Sequence, residues 1–374
     1  MIIGVPKELK NKEYRVGLTP DSAYELISEG HRVLVEQNAG GGIGANDLAY
    51  EAVGATVVDT AEEVFAESDM IVKVKEPLAV ERAMLREGQI LYTYLHLAPD
   101  PVQTQDLIES GATCIAYETV TGNDGSLPLL KPMSQVAGRL AVQAGATALE
   151  NGHGGRGVLL GGVPGVRPAN VVIIGGGVVG MNAAQMAVGL QANVTILDRS
   201  AETLERLNQH FGSRVNVLHS TASAIEQCTA QADLVIGAVL LPGAAAPKLL
   251  SREMLGGMKS GAVLVDVAID QGGCFETSKA TSHSDPTYVV DDIVHYCVTN
   301  MPGAVARTST YALNIATLGH AMNIANKGWT SALSEDANLR NGLNVWNGKV
   351  TCPPVASALG YDCISPDNAL SSVQ

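Results

Sequence analysis

Four polar residues each stand at or just beyond an apolar run of the kind that forms a buried strand. Lys75 follows residues 70–74, His96 follows 90–94, Asp270 follows 262–267 and Asn300 follows 295–298. Ligands of open α/β sheets bind beyond the carboxyl ends of strands, so polar groups placed there are candidates on position alone. As a set they supply a cation, a proton shuttle, a carboxylate and a polar anchor, which is equipment for acid–base chemistry on a small charged molecule. Singly, each also fits an ordinary role. Lys75 reads as a solvated charge, His96 as a structural histidine, Asp270 as a turn acid beside Gly272 and Gly273, and Asn300 as a turn residue before Pro302. Arg15, in a polar loop before Thr19 and Pro20, reads equally as a surface arginine.

The element that gives these residues a common purpose is the run Val171-Val172-Ile173-Ile174 leading into Gly175-Gly176-Gly177-Val178-Val179-Gly180. An apolar strand feeding G-x-G-x-x-G is the form of a dinucleotide site. Gly175 permits the tight turn, Gly177 lets the backbone approach a pyrophosphate, and Gly180 lets the following helix, about residues 181–190, pack close to the strand. The pyrophosphate then rests on the positive helix N-terminus that Val178 and Val179 open. Asp198 closes the next apolar run, 193–197, where its carboxylate can accept hydrogen bonds from a ribose diol and repel a 2′-phosphate. That favours NAD over NADP, although Arg199 beside it could pair with a phosphate.

Composition narrows the partners. At 374 residues the chain exceeds what one core serves, so two domains are expected. A net charge of −14 argues against nucleic acid and anionic membrane surfaces. No apolar run is long enough to span a membrane, and the opening Met1-Ile2-Ile3-Gly4-Val5-Pro6-Lys7-Glu8 lacks the order of a signal peptide, so a cytoplasmic location is expected. The six cysteines show no regular spacing and read as buried reduced thiols, and no histidine pair has metal-ligand spacing, so no metal is expected.

The expected fold is α/β, with two Rossmann-like lobes of parallel sheet flanked by helices and a cleft between them. Strands are predicted at 1–5, Arg32–Glu36, 70–74, 90–94 and 113–117, with helices at 21–29 (capped by Thr19, Pro20 first), 81–86 and Pro101–Ser110. An alanine-rich helix at 140–149 leads to a glycine-rich stretch, 152–165, expected as a surface hairpin because no helix follows it. Further buried strands are predicted at 215–218, 233–240 and 262–267, then a long helix at 311–325. The tail is too short for a third domain. It is expected to return to the first, giving a discontinuous substrate domain of 1–130 with 305–374 and an NAD-binding domain of 131–304.

The segments Gly4-Val5-Pro6-Lys7-Glu8, Arg15-Val16 through Thr19-Pro20, 72–77, 92–97, Pro132-Met133-Ser134, 265–273, Asn300-Met301-Pro302-Gly303 and Tyr361-Asp362 closely resemble those of alanine dehydrogenases, a signature shared with the nucleotide-binding subunit of pyridine nucleotide transhydrogenases. The resemblance spans nearly the whole chain. It departs at Gly17, where the family usually has alanine, and at 21–23. It implies reversible oxidative deamination of L-alanine to pyruvate and ammonium, with NAD accepting the hydride. In that scheme Arg15 and Lys75 bind the substrate, His96 passes protons, and Asp270 activates water or orients the amine. Met133 and Asn300 lie near the substrate, while Ser134, Asp198, Ser220, Val239, Leu240, Val267, Asp270 and Met301 line the dinucleotide site. A homo-oligomer, commonly a hexamer, is also implied. Two alternatives remain open here: a related dehydrogenase acting on glycine and glyoxylate, and a non-catalytic NAD(H)-binding redox sensor.

Overall fold

The computed structural model describes residues 1–239 and 246–373. Among them are strands β1 (Ile2–Val5), β2 (Arg32–Glu36), β3 (Thr56–Val58), β4 (Met70–Val72), β5 (Ile90–Thr93), β6 (Thr113–Ala116), β7 (Asn170–Ile174), β8 (Asn193–Asp198), β9 (Val215–His219), β10 (Leu234–Gly237), β11 (Val263–Asp266), β12 (Thr287–Val290), β13 (Ile293–Tyr296), β14 (Leu343–Trp346) and β15 (Lys349–Val350). Contacts divide the chain into two compact units, Met1–Pro132 with Val305–Gln374, and Met133–Ala304.

The first unit holds a sheet in the order β15-β14-β6-β5-β4-β1-β2-β3, the second one in the order β12-β13-β11-β10-β7-β8-β9. Counting from the first strand of each unit, the parallel strands of both run 3-2-1-4-5-6, the order of a dinucleotide-binding sheet. The expected parallel sheets therefore need one amendment. Each carries antiparallel pairings at one edge, β14 against β6 and β15 against β14 in the first unit and β12 against β13 in the second. Such an edge is common on an otherwise parallel sheet. Central strands β4, β5, β6, β10, β11 and β13 are buried along their whole length, as continuous apolar runs covered on both faces must be. Each unit has its own core, around Phe65, Leu91, Leu107 and Val345 in the first and Val235, Leu264, Phe275 and Ile293 in the second.

Several boundaries differ from expectation for physical reasons. The helix expected at 140–149 begins at Lys131 and runs to Ala148, because Pro132 is tolerated in a first turn and the glycines inside it are contact points. A Cβ at Gly138 would strike the Val179 carbonyl, and one at Gly145 the Leu234 side chain. The helix expected at 81–86 is Ala79–Arg82, whose start is tied by Glu81 accepting the Leu78 N–H at 2.7 Å. The helix of the glycine motif is Val178–Gly189, and the long C-terminal one is Ala306–Lys327. The stretch 152–165 is not a hairpin. It holds a 3-10 turn at Asn151–His153 and, near its end, a single antiparallel bridge between Val163 and Val166. Thiols are not uniformly buried either, for Cys228 is half-buried and Cys363 exposed; the six are unpaired.

Candidate functional site

In the second unit the three glycines are used differently. Gly175 takes φ +105°, a region that favours glycine, and donates its N–H to the Leu197 carbonyl at 2.8 Å. Nothing lies within 4 Å of where a Gly177 Cβ would stand, so its backbone faces open space at the start of helix Val178–Gly189. A Cβ at Gly180 would collide with the Gly175 carbonyl. This open cradle at a helix N-terminus fits a dinucleotide pyrophosphate.

Asp198 ends β8 and is half-buried beside that loop. Its carboxylate accepts the Gly176 N–H at 2.6 Å and the Ser200 N–H at 2.8 Å, so it shapes the loop. The buried Ser220 donates its N–H to the Asp198 carbonyl. Val178 is exposed, Val179 buried, and Val239 half-buried just past β10. Leu240 lies outside the described residues. Val267 and Asp270 sit in the turn Val267–Gln271 that follows β11, with Asp270 exposed. Fully buried Asp266 anchors this turn by accepting the N–H groups of Ala268 at 3.0 Å and Cys274 at 2.8 Å. Ser134 and Met133 lie near the start of Lys131–Ala148, half-buried and buried. Asn300 holds φ +56°, with His283 Nε2 3.1 Å from its carbonyl oxygen, and buried Met301 begins the turn Met301–Val305.

In the first unit the strand ends carry charge. Lys73, fully buried past β4, is paired with Glu8 at 3.2 Å and Glu81 at 2.5 Å. Burial alone would push its ammonium down, but the two carboxylates outweigh this and hold it above its ordinary value. Glu8 also accepts the N–H groups of Val74 at 2.7 Å and Lys75 at 3.2 Å, fixing the turn from which Lys75 projects. The Lys75 ammonium is mostly covered and 3.6 Å from Glu76.

Arg15 is not a surface residue. It is 2 % exposed and its guanidinium forks onto Glu13, with Nε to Oε1 at 2.7 Å and a terminal nitrogen to Oε2 at 2.6 Å. Gly17 explains how this loop lies so close to β4, because a Cβ there would strike the Val72 carbonyl. His96 follows β5 with φ +50° and a half-exposed ring stacked on Tyr94 at 5.9 Å between centroids. Burial lifts the Tyr94 phenol above its ordinary range, Arg15 opposes that and Glu118 adds to it, so Arg15, Tyr94 and Glu118 share one local field.

Arg15, Lys75 and His96 thus gather in the first unit, and the dinucleotide-type residues in the second. Glu8, Glu13, Lys73 and Glu118 were missed by position-based reasoning. A lysine inside the apolar run 70–74 was a legible signal, since a buried lysine must find carboxylates. A groove of about 460 Å³ in the second unit, lined by Asn170, Asn193, Arg214, Asn216 and Gln227, opens at the amino ends of the strands, the wrong end for the ligand of such a sheet.

The N-terminal domain of the alanine dehydrogenase/PNT family matches residues 4–137 and the C-terminal domain residues 141–353. The last stretch of the C-terminal match, from residue 305, packs with the first unit. The chain is 58 % identical to the alanine dehydrogenase of Halomonas elongata, over 97 % of this chain and 98 % of that one. It is 53 % identical to that of Bacillus subtilis, over 99 % and 98 %. A solved L-alanine dehydrogenase superposes with a TM-score of 0.94 at 52 % identity, covering 96 % of this chain and 99 % of that one. A transhydrogenase from Sinorhizobium meliloti does so at 0.81 and 26 %, covering 94 % and 99 %. The chain belongs to the alanine dehydrogenase/PNT family.

Proposed function

We propose that this protein is an oxidoreductase that catalyses the reversible, NAD-dependent oxidative deamination of L-alanine to pyruvate and ammonium. The observation that carries the reading is the clustering of Arg15, Lys75 and His96 beyond the first unit's strand ends in a chain whose second unit bears the glycine cradle. The similarity to alanine dehydrogenases over nearly the full length supports the choice of amino acid.

In this reading the first unit binds the substrate and the second holds NAD, through Gly175, Gly177, Gly180, Asp198, Ser220 and the neighbouring Ser134, Val239, Val267 and Met301. When bound, NAD supplies the acceptor for the hydride that leaves the alanine Cα. Arg15 binds the substrate carboxylate, and Glu13 behind it holds the guanidinium plane in place. Lys75 stabilises negative charge on the substrate oxygens. His96 takes and returns the protons of the amine and of the oxygen that becomes the keto group, and Asp270 activates the water that replaces nitrogen. Met133 and Asn300 shape the space around the methyl group and amine. The location is cytoplasmic and the assembly a homohexamer. Sedimentation at several concentrations tests the latter, and a stable monomer would refute it.

The deciding experiment is loss of NADH absorbance on mixing the protein with pyruvate and ammonium, with glyoxylate and NADPH in parallel. Rapid loss with pyruvate and NADH is expected. No loss with folded, NADH-binding protein would sink the reading. His96→Ala and Asp270→Ala are each expected to cut turnover by about two to four orders of magnitude with NADH binding nearly intact. Near-parental rates would remove that residue's role.

A further inference from the structure

His96 occupies a conformation that its own chemistry disfavours. A non-glycine residue at φ +50° lies in the left-handed region, which is strained and persists only where surroundings over-determine it. The surroundings here include three side chains that bond the backbone of residues 95–97. Glu118 Oε1 accepts the N–H of His96 at 2.6 Å and that of Leu95 at 3.1 Å. From the helix Pro101–Ser110, Gln103 donates its amide to the Leu95 carbonyl at 2.6 Å, and the single Thr104 hydroxyl proton is shared between the Leu97 carbonyl at 3.1 Å and the Asp100 carbonyl at 2.9 Å. Gln103 is 1 % and Thr104 0 % exposed, so these bonds form away from water. Asp100 caps that helix through the Gln103 N–H at 2.9 Å, which fixes where the two donors stand.

The turn at residues 95–97 therefore has two of its donors taken by one carboxylate and two of its acceptors by one helix. We propose that Glu118, Gln103 and Thr104 are positioning residues that hold His96 in its left-handed backbone conformation and so aim its imidazole for proton transfer. The same carboxylate oxygen lies 3.9 Å from His96 Nδ1. That leaves Nε2 as the nitrogen that exchanges protons with substrate. The inference rests on the proton-transfer role proposed for His96.

The test is a double-mutant cycle between Glu118→Ala and His96→Ala, with Glu118→Gln as the conservative variant. Glu118→Ala should lower kcat for pyruvate amination about 10- to 100-fold, with the KM values for pyruvate and NADH within about threefold of the parent. Glu118→Gln keeps an oxygen that can accept both N–H groups and should stay within about fivefold of the parent. In a His96→Ala background, whose residual rate is measured at high enzyme concentration, Glu118→Ala should have no further effect. An equal loss in both backgrounds, or a parental kcat in Glu118→Ala, would overturn the proposal. A nearly active His96→Ala would instead sink the role of His96 itself, a separate and recognisable failure. Should Glu118→Ala not fold, Glu118→Asp, which shortens the reach by one methylene, should show the same fall in kcat, and parental kcat there would overturn the proposal equally.

Discussion

Both units run their parallel strands in the same order, yet the sequence that follows the first strand differs completely. After β7 come three glycines; after β1 come Pro6, Lys7 and Glu8. The second unit presents backbone N–H groups at a helix start, in a glycine loop held by Asp198 accepting the Gly176 N–H and Arg206 donating to the Gly176 carbonyl. The first unit presents cations on side chains, and each is tied to a carboxylate: Arg15 to Glu13, Lys73 to Glu8 and Glu81, the Lys75 turn to Glu8. The difference follows from the ligands. A pyrophosphate is long, and successive main-chain donors can embrace it. A three-carbon amino acid offers one carboxylate and one amine, which a planar fork and a point charge recognise better. Cations brought out of water for that purpose must be held by anions, and so the first unit has a charged interior where the second has a bare loop.

The sharpest way to break this contrast is to remove the ion at its centre. Lys73→Met leaves Glu8 and Glu81 buried without their cation, and should destabilise the protein by about 3–5 kcal/mol in urea unfolding. Adding Glu8→Gln and Glu81→Gln should restore much of that loss. A single-variant cost below about 1 kcal/mol would mean that the buried charges are not coupled as their geometry implies. The matching change in the second unit is Gly180→Ala, which drives a methyl group into the Gly175 carbonyl. It should weaken NADH binding at least about tenfold by fluorescence titration, or ~1.4 kcal/mol, because the helix can no longer sit against the strand. Unchanged affinity would show that close helix packing is not what the third glycine provides.

What was legible in the residues follows the same division. The glycine cradle, Asp198 and the strand-end positions of Lys75, His96 and Asp270 could be read because each depends on local order: apolar run, turn, polar residue. Carboxylates acting at a distance could not. Glu8 reaches Lys73 across 65 positions and Glu118 reaches His96 across 22, and no spacing rule links an acid near the N-terminus to a strand that lies beside it only after folding. Spacing left Arg15 undecided for the same reason, since its loop meets β4, at Gly17, only after folding. The extra turns of Lys131–Ala148 lie outside the alanine-rich segment that signalled the helix; in them Pro132 serves as a first-turn residue and Gly138 as a contact point.

Arg15→Lys asks a finer question, whether the fork or merely the charge matters. The KM for pyruvate should rise on the order of tenfold, matching loss of about one charge-assisted hydrogen bond worth ~1.5 kcal/mol, while the KM for NADH stays within about twofold. Equal effects on both would make Arg15 a structural residue of the first unit.

The smallest expected effect compares one histidine from each unit, the first fully buried and the second half-buried. His295 on β13 is fully buried, with Nδ1 2.9 Å from the Ile293 carbonyl oxygen and Nε2 2.7 Å from the Thr277 hydroxyl; His320 lies on the helix Ala306–Lys327 near Asp336. Burial holds both below the ordinary value of 6.5, partly opposed at His295 by the Ile293 carbonyl and at His320 by Asp336. A lowered folded pKa means that the unfolded chain binds the proton first. Stability is therefore full above pH 6.5 and falls as the pH drops from there through each folded pKa, with a slope of at most about 1.4 kcal/mol per pH unit for each ring. Urea unfolding between pH 7.5 and 5 should show this decline, and His320→Gln should flatten part of it without touching the part due to His295. The larger share should remain in that variant, because His295 is fully buried, with Asp266 and Asp291 only partly opposing the cost of its charge, whereas the His320 ring is a quarter exposed and has Asp336 at 3.9 Å. A profile that His320→Gln makes flat would reverse the order and place the acid-sensitive histidine in the unit that already carries the buried ions.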